Sequence, residues 1–178
     1  KNKCDSLARV RLSVFRGNGG IFESLDDFQY TIECSPLSTS INQLNENGLV
    51  IDIFTDARKS CDKFSNLKSA NYLPYVMAAR YAKVNKLNEC LVLNVHERIA
   101  DATIANIFLM KDGKLITPPL SEGGVNGVMR RYLIENGGAE ESEIAERDLQ
   151  EADEVFLSNA ISGIRWVKSF RQKNYSNS

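Results

Sequence analysis

The sequence predicts an α+β domain, a mixed sheet rolled around a core and flanked by a few helices. Three observations carry this. Strand-like runs recur along the whole chain, only two or three segments have helical spacing, and an Asp-Gly turn joins two apolar runs into a hairpin.

The elements follow in order. "ARVRLSVFR" (8–16) alternates, with Val10, Leu12 and Val14 on one face and Arg9, Arg11 and Ser13 on the other, as in a half-buried strand. "GNGG" (17–20) ends it, and "FQYTIEC" (28–34) is a second strand. "SPLSTSINQLNENG" reads as loop. "LVIDIFTDA" (49–57) is a third strand, apolar enough at its centre to be buried on both faces. Residues 70–85 have the Ala content and 3–4 spacing of a buried helix, with Pro74 tolerated in its first turn. "ECLVLNV" (89–95) is a strand, and "IANIFLM-KDG-KLITPP" (104–119) is the hairpin. "LSEGGVNG" is a glycine-rich loop feeding a helix over 128–138, closed by Gly137 and Gly138. "EIAERDL", "DEVFLSNA" and "GIRWVKSF" are three further strands, and the tail is polar.

The bulk numbers narrow the function. A chain of 178 residues, 43% hydrophobic, can hold one sizeable core. Net charge is −1 with no basic face, which argues against nucleic acid. No apolar run reaches the roughly 20 residues of a membrane helix, and no signal peptide is evident. The four cysteines, at 4, 34, 61 and 90, have no CxxC spacing and read as reduced thiols of a cytoplasmic protein. The single histidine, His96, rules out zinc sites with several histidines and reads as a solvated turn residue. The opening "KNKCDSLARVRLSV", with no Met, reads as part of a longer chain.

Three features could carry chemistry. Lys68, between Leu67 and Ser69 before the first helix, has Tyr72 four residues on. A desolvated lysine loses part of its preference for the charged form and becomes nucleophilic toward carbonyls. A lysine snorkelling at a helix start is the ordinary alternative. Asp101 is a lone acid in a small, apolar stretch, "RIADATIANIF"; buried, it would need a cation, and otherwise it is a turn or capping aspartate. "EGGVNGVMRR" presents backbone N–H groups and a helix dipole suited to phosphate, or is a plain loop; no Walker pattern is present.

Together, a Schiff-base lysine, an acid for a ring nitrogen and a phosphate cradle are what pyridoxal 5′-phosphate needs. The spacing of Asp101, Thr103, "NIF" (106–108), "LIT" (115–117) and "VNGVMR" (125–130), with "LKSANYL" upstream, resembles the class-IV aminotransferases. These are fold-type IV enzymes that include branched-chain and D-amino acid aminotransferases and aminodeoxychorismate lyase. The resemblance runs from "ARVRL" to "GIRWV" and implies a large C-terminal domain with a mixed-sheet pseudo-barrel. Residues 1–36 would be the interdomain strand region, and 37–178 the lysine-bearing, cofactor-binding domain. The family's N-terminal domain would lie ahead of them.

The resemblance also implies roles. Lys68 would form the Schiff base and move the substrate's Cα proton. Asp101 would pair with the ring nitrogen, where the family usually has Glu. Val128 and Met129 would offer N–H groups to the phosphate, with Asn159, Ala160 and Ile161 forming a second phosphate loop. Tyr72 would stand near the cofactor's phenolic oxygen, and Arg130 would be structural. Ile21 and Glu23 occupy places where lyases and D-amino acid enzymes carry a carboxylate-gripping arginine. The expected function is therefore transamination of an apolar, branched-chain-like amino acid and its keto acid in a cytoplasmic homodimer. Aminodeoxychorismate lyase and a degenerate, non-catalytic relative are the alternatives.

Overall fold

The computed structural model describes residues 4, 7–20, 22 and 28–177, which form two units, 1–43 and 44–178. Ile21 and Glu23 lie outside the described residues.

In the first unit, β1 (Ala8–Arg16) and β2 (Phe28–Pro36) pair antiparallel, with Val10 opposite Cys34, Leu12 opposite Ile32 and Val14 opposite Tyr30. The expected strands are there, but β1 is not half-buried: Val10, Leu12 and Val14 are 60–66% exposed. A two-stranded ribbon has no second layer of its own to cover its apolar face.

The second unit holds a mixed sheet of nine strands. They are β3 (Leu49–Lys59), β4 (Glu89–Asn94), β5 (Ile99–Ala102), β6 (Asn106–Lys111), β7 (Lys114–Thr117), β8 (Glu140–Glu141), β9 (Glu154–Asn159), β10 (Gly163–Phe170) and β11 (Lys173–Asn174). The order is β5-β4-β3-β10-β9-β6-β7-β8, with β11 beside β10. β3 is parallel to both β4 and β10, and β7 to β8; the other pairs are antiparallel. The Ala102 N–H donates to the Ala105 carbonyl (2.8 Å), so β6 begins beside the end of β5. The sheet is thereby curled into a half-barrel.

Its inner face is the main core: Ile51 and Ile53 of β3, Leu91 and Leu93 of β4, Ile107 and Leu109 of β6, Leu157 of β9 and Phe170 of β10. Three helices flank the sheet, α1 (Leu73–Val84), α2 (Val128–Asn136) and α3 (Glu146–Glu151), and the first two pack on the other face. α1 buries Ala78 and Ala82 against Phe54 and Val92, and α2 sets Leu133 near Phe108 and Phe156, whose rings stack 5.0 Å apart. α3 belongs to the core side, where Leu149 is fully buried.

Local chemistry accounts for most of these elements. Pro74 stands in the first turn of α1, as expected. Asp112 (φ 52°) and Gly113 (φ 74°) are both left-handed, which a two-residue type I′ hairpin requires. Four expectations change. α1 spans 73–84, and its large apolar residues Leu73, Val76 and Met77 are exposed rather than buried. Only the small Ala78 and Ala82 let the helix lie close to the sheet. "EIAERDL" is not a strand: Asp148 accepts the Ala145 N–H (2.8 Å) and starts α3. Residues 99–102 form β5, a wholly buried strand, in a stretch to which no strand was assigned. β3 runs two residues further than its apolar run, to Lys59.

Candidate active site

One irregularity in β3 builds the centre of this site. Phe54 pairs with Val92 of β4, but the next paired residue, Lys59, stands opposite Asn94. Five residues of β3 therefore run past two of β4. Plain alternation would keep Lys59 on the side of Ile51 and Ile53, in the main core. The bulge turns it to the opposite face, that of Phe54 and Val92. Asp101 pairs directly with Val92, so it shares that face. Tyr75, in the first turn of α1, covers both.

The Asp101 side chain is 2% exposed and that of Lys59 11%. Tyr75 Oη donates to both carboxylate oxygens (2.9 Å each), and the Val125 N–H donates to Oδ2 (2.9 Å). Lys59 Nζ stands 3.6 Å from Oδ2 and 4.9 Å from the centre of the Tyr75 ring. The first is an ion pair but too long for a hydrogen bond. Nζ is buried and has no hydrogen-bond acceptor among the described residues. Burial pushes the Asp101 carboxyl upward, against the Lys59 charge, the Val125 N–H and the Tyr75 hydroxyl. Burial also pushes the Lys59 amine downward, with Asp101 opposing, and the Tyr75 phenol upward.

The glycine loop closes one side. A Cβ at Gly124 would stand 2.6 Å from the Ala100 carbonyl oxygen, and one at Gly127 would collide with Asn106 Oδ1. Only glycine lets this loop press against β5 and β6. Asn66 ties it down further: its Nδ2 donates to the Leu120 and Gly124 carbonyls (2.7 Å each), and the Asn126 N–H donates to its carbonyl (3.0 Å). Asn106 Nδ2 holds the Val125 carbonyl (2.8 Å) while the N–H of Val125 reaches Asp101. From Gly127, in extended conformation, the chain enters α2, whose first-turn N–H groups, Val128 and Met129 among them, have no intrahelical acceptor. Asn106 also pairs with Ser158, which brings the end of β9 alongside. There Asn159 Oδ1 accepts the N–H groups of Ile161 (2.9 Å) and Ser162 (2.8 Å) and closes a tight turn.

The expected residues thus divide. Asp101 is central and buried. Val128 and Met129 open α2 beside the glycine loop, and Asn159, Ala160 and Ile161 form the turn at the end of β9. The Ile161 N–H is given to Asn159 and is not free for a phosphate. Arg130 is buried and structural: its guanidinium donates to the Pro118 carbonyl (2.8 Å) and pairs with Glu141. Lys68 is exposed, in a loop whose flanks are pinned by Asn66 on the glycine loop and Tyr75 on Asp101. Its expected desolvation is not seen here. Tyr72 is 48% exposed at the start of α1; the tyrosine that touches Asp101 is Tyr75, for which no role was expected.

Lys59 and Tyr75 went unread in the sequence. For Lys59 the one available signal is a lysine ending a strand whose centre is largely apolar. The bulge that aims it inward has no sequence mark. Among the described residues no group of three side chains could hold a metal ion. A ligand with a basic ring nitrogen and a phosphate fits what is present: a buried carboxylate, and a helix start reached through a loop that only glycine can follow.

Three comparisons bear on this geometry. The profile of the amino-transferase class IV family matches residues 1–170. An aminodeoxychorismate lyase of Vibrio harveyi is 34% identical over 168 residues, which cover 90% of this chain and 62% of that protein. A putative branched-chain-amino-acid aminotransferase of Methanocaldococcus jannaschii is 30% identical over 171 residues, 88% of this chain and 57% of that one. The chain therefore spans about three fifths of the length of these relatives. Among solved structures, an aminotransferase from Brucella abortus bound to the cofactor PLP superposes with a TM-score of 0.81 over 96% of this chain and 63% of its own, at 20% identity. No helix among the described residues is long and apolar enough to cross a membrane.

Proposed function

The chain belongs to the class-IV aminotransferase family, and on that premise we propose that the full-length protein is a pyridoxal-phosphate enzyme that transaminates an apolar, branched-chain-like amino acid. The observation that carries the reading is the buried Asp101 carboxylate, held by Tyr75 and Val125 beside a glycine-bounded helix start. Pyridoxal phosphate, when bound, supplies an electron sink for charge developing at the substrate's Cα.

In this reading each residue has a definite task. Asp101 would accept a hydrogen bond from the protonated ring nitrogen, and Tyr75 and Val125 keep its oxygens aimed. Val128 and Met129 give N–H groups to the phosphate, and the turn at Asn159, Ala160 and Ile161 borders it. Tyr72 lies toward the phenolic oxygen. Lys68 would be the amine that holds the cofactor, and its Nζ would carry the proton to and from the substrate's Cα. By the resemblance, Ile21 and Glu23 stand where lyases and D-amino acid enzymes carry an arginine, which argues against both of those activities.

A second reading, aminodeoxychorismate lyase, is supported by the likeness to the Vibrio harveyi protein. One experiment addresses both. Full-length protein with pyridoxal phosphate absorbs near the visible edge, and Lys68→Ala loses that band; an unchanged band in the variant overturns the assignment of Lys68. The same preparation forms keto acid from a branched-chain amino acid and keto-acid acceptor. Release of pyruvate from aminodeoxychorismate without an acceptor selects the lyase instead.

A further inference from the structure

Lys59 has no part in the reading above, yet its amine is buried beside Asp101 with no hydrogen-bond acceptor among the described residues. An ammonium in that position is costly unless its charge is used. It is badly placed to hold the cofactor's aldehyde. The ring nitrogen and the aldehyde carbon lie at opposite ends of a pyridine ring. An amine touching the carboxylate that pairs with one is a ring's length from the other.

Its position suits a different task. Of the three groups around Asp101, Tyr75 Oη and the Val125 N–H are neutral dipoles, and Lys59 alone carries charge. At 3.6 Å it pairs with Oδ2 without taking a hydrogen-bond direction from it. A carboxylate accepts about four hydrogen bonds, so Oδ1 keeps room for a further donor. The charged or titratable groups acting on Lys59 are Asp101, Cys61 and Asp62, with the Tyr75 ring beneath it. Of the other buried acids, Glu89 is turned to the Cys90 N–H (2.9 Å) and the Thr103 hydroxyl, and Glu122 to Arg98.

We propose that Lys59 is the resident counter-ion of Asp101, a positioning residue that keeps the carboxylate ionised and aimed until a protonated ring nitrogen takes over that role. The proposal rests on the assignment of Asp101 as the acid for that nitrogen. Lys59 and the ring N–H are like charges on one carboxylate, so each weakens the other's hold. Lys59 therefore matters most in the cofactor-free protein.

The test is a pair of melting curves, with and without pyridoxal phosphate, on the full-length protein. Lys59→Met lowers the cofactor-free melting temperature by about 5 °C, as expected for a buried carboxylate left without its cation. With cofactor the deficit falls to less than half. The double variant Lys59→Met/Asp101→Asn, with neither charge, regains most of the cofactor-free loss. An equal deficit with and without cofactor, or a double variant no more stable than Lys59→Met, overturns the proposal. If Lys59→Met does not fold, the double variant decides: a folded double supports the counter-ion role and an unfolded one overturns it. Borohydride reduction and peptide mapping keep the two readings apart. Cofactor fixed on Lys68 leaves both standing, and cofactor fixed on Lys59 overturns this one. A parent protein that retains no cofactor overturns the exchange along with the role of Asp101, and the cofactor-free curves still report whether Lys59 balances its charge.

Discussion

Tyr75 and Tyr72 show how much a single position decides. Three residues apart at the start of α1, one donates its hydroxyl to both oxygens of a buried carboxylate and the other is half exposed. Tyr75→Phe deletes one donor and leaves Asp101 to Lys59 and the Val125 N–H. The expected loss is about 1–2 kcal/mol of unfolding free energy, seen as a lower urea midpoint at unchanged slope. Tyr72→Phe is expected to stay within about 0.5 kcal/mol. Asp101 itself was legible in the sequence, because an isolated acid among small apolar residues is conspicuous. Its partners were not. Helical spacing places several tyrosines near one another, and only the crossing of α1 over the sheet selects among them.

At the scale of elements, the site depends on backbone approach. The loop 123–127 reaches β5 and β6 only because Gly124 and Gly127 lack a Cβ, and this approach brings the Val125 N–H to Asp101. Gly124→Ala meets a backbone carbonyl rather than a movable side chain. It is expected to cost about 2 kcal/mol of stability by overpacking and to weaken pyridoxal phosphate binding as the loop is pushed outward. Chemical denaturation and a cofactor titration on the same variant check the two together. The loop was readable as a glycine-rich helix entry. Helix α3 and strand β5 were misread for local reasons. Asp148 capping Ala145 outweighs the alternation of "EIAERDL". A four-residue strand is too short to separate from a turn by pattern. The bulge in β3 is a further step removed, since a register break belongs to two strands and neither sequence alone records it.

Across the whole molecule, one ion pair anchors the turn after β4 to the segment that enters the glycine loop. Glu122, nearly fully buried, takes both Arg98 Nε (2.6 Å) and Nη2 (2.7 Å), and Asn94 Nδ2 (2.7 Å). The Arg98 guanidinium, with help from Asn94, holds this carboxyl below its ordinary value against burial. A carboxylate depressed in the folded state stabilises the protein fully above its unfolded value of about 4.3 and loses that contribution as pH falls through the lower folded value. Arg98→Met therefore costs about 3 kcal/mol near pH 7, where it leaves a buried charge unpaired. The difference from the parent narrows below about pH 4, where Glu122 is protonated in the variant. Urea titrations at the two pH values measure it. Read alone, the sequence was enough for the α+β class, most strands, the Asp-Gly hairpin, the glycine-bounded helix entry and the family, because each is written in short-range periodicity, turn residues or motif spacing. Only the folded chain decided that Lys59 and Tyr75 meet Asp101 and that Lys68 lies in an exposed loop. Those placements follow from a register break and a helix crossing between segments tens of residues apart, and no local pattern encodes them.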